Sequence, residues 1–67
     1  MSAASLYNVW VRYTYSEGAY WCEGNSPQLN SAKDACDQMI TRDDVLGCFV
    51  TQGSYIHSEK MYEKNKP

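Results

Sequence analysis

Apolar and polar side chains alternate from residue 6 to residue 15, in a segment without glycine or proline. β-Branched and aromatic residues dominate this segment, and a period of two is typical of a β-strand. The opposite face of the predicted strand carries Trp10 and Arg12. The more apolar odd positions are predicted to face the core, and they are Tyr7, Val9, Val11, Tyr13 and Tyr15.

A second strand is predicted to follow Glu17-Gly18, because a two-residue turn with glycine closes many β-hairpins. Such a turn sets the register, pairing Tyr15 with Tyr20, Thr14 with Trp21, Tyr13 with Cys22 and Arg12 with Glu23. In that register Tyr20 faces the core, and Trp21 shares the opposite face with Trp10 and Arg12. A turn of three residues would instead shift the second strand by one residue and bury Trp21.

A helix is predicted after Pro27, since apolar side chains recur there with helical spacing. Ser31 suits the N-cap, and Asp34 three residues later approximates a capping box. The acidic pair at residues 43–44 is unfavourable at a helix C-terminus, so the helix is predicted to end near Thr41. The side chains predicted to face the core are Ala32, Ala35, Cys36, Met39 and Ile40.

A second hairpin is predicted from residues 45–51 and 54–61, joined by a two-residue turn at Gln52-Gly53. This turn pairs Phe49 with Ile56. It also places Cys48 opposite His57 and puts Val45, Phe49 and Ile56 on one face.

The order of these elements predicts an α+β fold, ββαββ, in which one helix packs on one face of a four-stranded antiparallel sheet. Strand order 2-1-3-4 allows the helix to cross from one edge back to the middle without a knot. The length of 67 residues predicts a single domain over residues 1–67. We expect an ordered core over about residues 6–62, with mobile ends at residues 1–5 and in the charged tail at 63–67.

Composition disfavours several classes of function. Six basic residues against eight acidic ones give a net charge of −2, whereas sequence-independent DNA binding usually needs a basic patch. Three cysteines are an odd number, which argues against a secreted disulfide scaffold. No signal peptide and no membrane-spanning segment is predicted, so we expect a cytoplasmic protein.

Chemically reactive residues are few and poorly grouped. Cys22, Cys36, Cys48 and His57 lack the closely spaced cysteine pair that is typical of a structural zinc site. So small a core leaves no room for a deep substrate pocket, and no glycine-rich phosphate loop is present. The sequence therefore predicts no catalytic residue, no metal and no cofactor.

The aromatic residues indicate a contact surface. Six of the nine aromatics lie between residues 7 and 21, on both faces of the predicted hairpin, and a single helix covers only one face. Trp, Tyr and Arg are the residue types enriched at interface hot spots. The predicted partner-binding residues are Trp10, Arg12, Trp21, Phe49 and Ile56. Two alternatives are that the same aromatics stack on a single-stranded nucleic acid, or that this face joins two copies in a structural homodimer.

In size, single helix and paired hairpins, the chain resembles small bacteriophage accessory proteins, some of which inhibit CRISPR–Cas complexes or RNA polymerase. The resemblance extends over the element order from residue 6 to residue 61 and includes no shared motif. It implies a non-enzymatic inhibitor in the cytoplasm of a bacterial host. Such an inhibitor would bind a larger protein complex and block a functional surface sterically.

Overall fold

The computed structural model describes residues 6–67, so the prediction of a mobile segment at residues 1–5 lies outside the described residues. The elements in chain order are β1 (Tyr7–Tyr13), β2 (Tyr20–Ser26), α1 (Leu29–Met39), β3 (Val45–Gln52) and β4 (Lys60–Asn65). The strands form one antiparallel sheet in the order β2-β1-β3-β4. The ββαββ architecture and the strand order that the sequence predicts are both confirmed.

The core lies between α1 and the two central strands, β1 and β3. Fully burying an apolar side chain such as valine stabilises the fold by about 1.5–3 kcal/mol. The odd-numbered face of β1 is the core face, as predicted, although Tyr15 lies beyond the strand and is exposed. The buried core consists of Val9, Val11, Tyr13, Ala32, Cys36, Val45, Cys48 and Val50.

Helix α1 presents its predicted apolar face to the sheet but begins earlier than expected. Ala32 and Cys36 are buried, and the other predicted core residues of the helix pack against them. The N-cap is Gln28, without a side-chain hydrogen bond, so the predicted capping box at Ser31 is wrong. Just before the helix, the Ser26 hydroxyl accepts the Gln28 N–H at 3.1 Å, which satisfies one backbone donor near the helix start.

The loop between β1 and β2 spans residues 14–19 and contains two successive tight turns. The Ser16 N–H donates to the Tyr13 carbonyl at 3.2 Å, and the Ala19 N–H donates to the Ser16 carbonyl at 2.9 Å. The second turn has Glu17-Gly18 at its centre, with φ values of 52° and 86°, the left-handed conformation that such turns require. A turn therefore forms at the predicted place, but the strands end before they reach it.

This loop changes the register of the first hairpin. Arg12 pairs with Tyr20, whereas the predicted partner was Glu23, which is a shift of three residues. An odd shift moves side chains to the other face of the sheet, and here it does so for Tyr20, Trp21 and Cys22, which precede the register irregularity in β2. The predicted pairing is wrong, since Tyr20 shares the face of Trp10 and Trp21 lies on the opposite face.

The second hairpin also differs from the prediction. Residues 53–59 form a loop, so the predicted turn at Gln52-Gly53 and the strand at 54–61 are wrong. Phe49 pairs with Glu63 and not with Ile56, which lies in the loop. The expected charged tail begins inside β4, which extends to Asn65.

A β-bulge corrects the predicted position of Val45. Tyr13 pairs with Val45 but Arg12 pairs with Gly47, which leaves Leu46 as an extra residue in β3. A bulge of this kind changes the alternation of side chains along a strand. Val45 therefore packs in the core under α1 and does not share the face of Phe49.

Candidate functional site

The sheet face that points away from α1, called the open face below, carries three of the predicted partner-binding residues. Trp10, Arg12 and Phe49 lie together there, because Trp10 is the register partner of Phe49. Phe49 is only 2% exposed, although no helix of the described chain covers this face. Its burial therefore comes from neighbouring side chains of the sheet.

Three side chains enclose the Phe49 ring. The Trp10 ring stacks beside it with centroids 6.3 Å apart, and the Tyr20 ring meets it edge-on at 4.7 Å. The ammonium of Lys60 lies 4.6 Å from the Phe49 centroid. Aromatic and cation–π contacts of this kind add to the stabilisation from burial. The open face thus forms a second, smaller core made by the chain itself.

Trp10 is held in place by a hydrogen bond as well as by stacking. Its indole N–H donates to the hydroxyl of Thr51 at 2.9 Å, and that hydroxyl donates to the Gly53 carbonyl at 3.1 Å. Nearby, the guanidinium of Arg12 lies 5.9 Å from the centroid of Tyr20. The polar atoms of Trp10 and Thr51 are therefore satisfied within the protein, which indicates a structural role for this part of the open face.

A different surface exposes aromatic rings. We call it the aromatic corner and define it by Tyr13, Tyr15, Trp21 and Glu23, at the end of the sheet where β1 leads into β2. Tyr15 is 68% exposed and Trp21 is 57% exposed. The Tyr15 ring stacks on Tyr13 with centroids 5.0 Å apart. Trp21 pairs with Val11, so it lies on the α1 side of the sheet, away from Trp10.

The aromatic corner forms an open cavity of about 270 Å³, lined by Tyr13, Tyr15, Ser16, Trp21 and Glu23. The hydroxyl of Tyr13 donates a hydrogen bond to the carboxylate of Glu23. Burial, together with the hydrogen bond and the charge of Glu23, raises the pKa of Tyr13 to about 12. At neutral pH the phenol therefore stays protonated and fixes one oxygen of the carboxylate.

A larger groove adjoins this cavity, because Glu23 lines both. The groove lies between β2 and α1 and has a volume of about 430 Å³. β2 is an edge strand, and its outer side pairs with no other strand of the part described. The apolar part of the groove is formed by Val9, Ala32, Ala35 and Met39.

Sequence reasoning placed Tyr15 in the core and paired Glu23 with Arg12, so it missed both residues as members of this site. The available signal was Ser16, whose short hydroxyl side chain favours turns. In the structure the Ser16 hydroxyl accepts the Tyr13 N–H at 3.0 Å and contacts the Ala19 carbonyl oxygen at 2.8 Å. That turn ends β1 at Tyr13 and sends Tyr15 to the surface.

The residues considered for metal or thiol chemistry do not come together. Cys22 and His57 are exposed, and His57 lies in the loop at 53–59. Cys36 and Cys48 are buried in the core, where their mutual hydrogen bond and burial raise the pKa of Cys48. Over residues 6–67 no group of three or more His, Cys, Asp or Glu is placed to hold a metal ion. In the same range no helix has the length and apolar character needed to cross a membrane.

Comparison with protein-family models, with curated proteins and with solved structures found no match. The resemblance to phage inhibitor proteins therefore stays a prediction from size and element order.

We expect the free energy of unfolding to fall as the pH rises from 10 to about 12, because the folded protein binds the Tyr13 proton more tightly than the unfolded chain. This stability is fully present below pH 10 and is lost through pH 12, and it amounts to no more than about 3 kcal/mol. Urea denaturation across this range measures the loss. Tyr13→Phe lacks the titrating group and should lose less, so an equal loss in both proteins would contradict the assignment.

Proposed function

We propose that this protein is a non-enzymatic protein-binding module whose partner contact is centred on the aromatic corner. The observation that carries the proposal is the joint exposure of Tyr15 and Trp21, at 68% and 57%. Large aromatic side chains that stay exposed beside a cavity are typical of binding hot spots, since a partner gains much contact area there. Of the residues predicted from the sequence, Trp21 belongs to this surface.

The edge of β2 supports a protein partner over a small molecule. An extended segment can add to an open sheet edge through main-chain hydrogen bonds, while adjacent pockets take alternate side chains. β2 has such an edge, with the aromatic cavity and the groove next to it. A partner strand along β2 would bring side chains to both.

We further propose that binding is inhibitory, and that the module is a phage-encoded protein that sterically blocks a bacterial complex such as CRISPR–Cas. This part rests on the resemblance in size and element order. The net charge of −2 supports a basic target surface, because opposite charges speed the encounter of two proteins.

The test of this proposal is the double substitution Tyr15→Ser and Trp21→Ser. Wild-type protein on a column should retain a specific protein from bacterial lysate, identified by mass spectrometry. The double variant is expected to bind that protein about 1,000-fold more weakly, since two hot-spot residues at about 2 kcal/mol each contribute about 4 kcal/mol.

A matched control is Tyr55→Ser, because Tyr55 is an exposed aromatic of the loop at 53–59, with 78% exposure. This variant should bind like wild type. Unchanged binding by the double variant, or equal loss in the Tyr55 control, would reject the aromatic corner as the contact.

Single-stranded nucleic-acid binding is the second candidate, and the open face is what favours it. Arg12 and Lys60 lie there beside the half-buried rings of Trp10 and Tyr20, an arrangement that can stack bases and contact phosphates. Titration of labelled oligonucleotides at low and moderate salt distinguishes the two functions. Saturable binding that is lost in Arg12→Gln would favour nucleic acid.

A homodimer is the third candidate, because two copies could pair through the free edge of β2. Light scattering over a range of concentrations identifies it. The dimer would have to persist in Trp21→Ser and prevent an extended segment of another protein from adding to β2. That result would show that the two copies pair through the edge of β2.

A further inference from the structure

We propose that the cavity of the aromatic corner binds a basic side chain of the partner protein. The proposal rests on the proposed function, since it names the chemistry of that contact. The cavity is lined by three aromatic rings and one carboxylate, those of Tyr13, Tyr15, Trp21 and Glu23, with the hydroxyl of Ser16 beside them. Aromatic rings attract a cation to their faces, and a carboxylate adds an opposite charge.

The charge of Glu23 decides between a basic occupant and a neutral one. An apolar side chain in the cavity would remove water from the carboxylate without giving it a partner, and such burial is costly. An acidic side chain would be repelled by the same group. A guanidinium or ammonium can lie against the exposed rings of Tyr15 and Trp21 while it donates hydrogen bonds to Glu23.

The backbone and Tyr13 place the carboxylate at this cavity before any partner arrives. Val9 pairs with Gly24 and Trp10 pairs with Cys22, so Glu23 is the extra residue of a β-bulge in β2. Bulges re-aim a side chain, and they are over-represented beside functional sites. The Tyr13 hydroxyl occupies one carboxylate oxygen, and among residues 6–67 no donor is bonded to the other oxygen.

The guanidinium of Arg42, a basic group of the chain itself, is paired with another carboxylate. The positive charge of Arg42 opposes the rise of the Tyr13 pKa and is the smallest of its causes. The guanidinium makes two hydrogen bonds to the carboxylate of Asp44, at 3.0 and 2.9 Å, and it does not line the cavity. Arg42 is therefore paired with Asp44 and not with Glu23.

The experiment compares two small probes that differ in charge and share their shape, N-acetyl-arginine amide and N-acetyl-citrulline amide. Each is titrated into the ¹⁵N-labelled protein at low salt, and the indole N–H signals of the two tryptophans are followed by NMR. The arginine probe should shift the Trp21 signal saturably, with an affinity about tenfold higher than that of the citrulline probe. Trp10 serves as the internal control, because its indole N–H is bonded to Thr51 on the other face.

Glu23→Gln keeps the size and the acceptor for Tyr13 but removes the charge. This variant should fold normally and bind the arginine probe about tenfold more weakly than wild type does. Equal shifts of Trp21 with both probes, or equal arginine affinity in the variant, would overturn the proposal.

Failure of this inference can be told apart from failure of the proposed function. Suppose that the captured partner is lost from the Tyr15/Trp21 double variant but kept at full affinity by Glu23→Gln. The corner then binds a protein without a basic side chain in the cavity, and only this inference is wrong. If instead the double variant keeps its partner, the proposed contact itself is wrong, whatever the probes show.

Discussion

Replacing Phe49 by alanine is expected to leave most of the protein unfolded at room temperature. Removing a buried phenylalanine side chain costs about 3–5 kcal/mol, and Phe49 is 2% exposed between Trp10, Tyr20 and Lys60. A domain of 67 residues has only a few kcal/mol of stability in total. Far-UV circular dichroism without denaturant, followed by a urea titration, measures the effect.

Phe49→Leu is the matched control, because it keeps an apolar side chain at the same place. It should lower the free energy of unfolding by about 1–2 kcal/mol and leave the protein folded. A Phe49→Ala protein that kept nearly the stability of wild type but lost its partner would contradict the structural role. That result would support Phe49 as a contact residue, as the sequence predicts.

The expected effect at Phe49 shows why the open face does not need a partner to be covered. Sequence reasoning assumed that one helix covers one face and that aromatics on the other face require a second protein. In the structure Tyr20 and Lys60 close over Phe49. The positions of Tyr20 and Lys60 over Phe49 depend on the registers of β2 and β4, and those registers depend on the loops that precede the two strands.

Local periodicity was sufficient to predict β1 and α1, and the rule that connections do not form knots predicted the order of the strands. The alternation along β1 identified Val9 and Val11 as core residues, and helical spacing did the same for Ala32 and Cys36. These core faces are predictable because the period of a strand or a helix alone determines on which face each of its residues lies. No long-range contact is needed to infer them.

The register of the second hairpin was not predictable from the local pattern, because it is set by contacts across the fold. Gly53 is drawn away from a tight turn by a hydrogen bond from its N–H to the carbonyl of Leu6, at 3.0 Å, and its own carbonyl accepts from the Asn8 amide. Its φ of 115° suits glycine. The chain therefore makes a long loop where the Gln52-Gly53 pair predicted a short turn.

Strand β4 was missed because its charges resemble those of a mobile tail. Charged side chains are common on edge strands, where they discourage pairing with other chains. The structural signal is Tyr62, which pairs with Val50 and donates a hydrogen bond to Asp37 of α1 at 2.5 Å. Lys64 adds an ion pair to the same carboxylate at 3.5 Å.

The two tryptophans should behave as opposites when each is replaced by alanine. Trp10→Ala is expected to lower the free energy of unfolding by about 2–4 kcal/mol, because the ring is half-buried, stacks beside Phe49 and donates to Thr51. Trp21→Ala should change it by less than about 1 kcal/mol, since that side chain is 57% exposed. Urea titrations of both variants, followed by circular dichroism, give the comparison.

Trp10→Phe separates the two contributions at Trp10, because it keeps an aromatic ring and removes the indole N–H. It should cost about 1 kcal/mol, the ordinary value of the hydrogen bond to Thr51, and bind the partner as wild type does. If Trp21→Ala proved as destabilising as Trp10→Ala, the aromatic corner would be part of the core and the binding proposal would lose its basis. A Trp21→Ala protein that is stable but does not bind the partner would instead show that the two tryptophans have separate roles. Trp10 would then stabilise the fold and Trp21 would bind the partner, on opposite faces of the sheet, although the sequence pattern placed them on the same face.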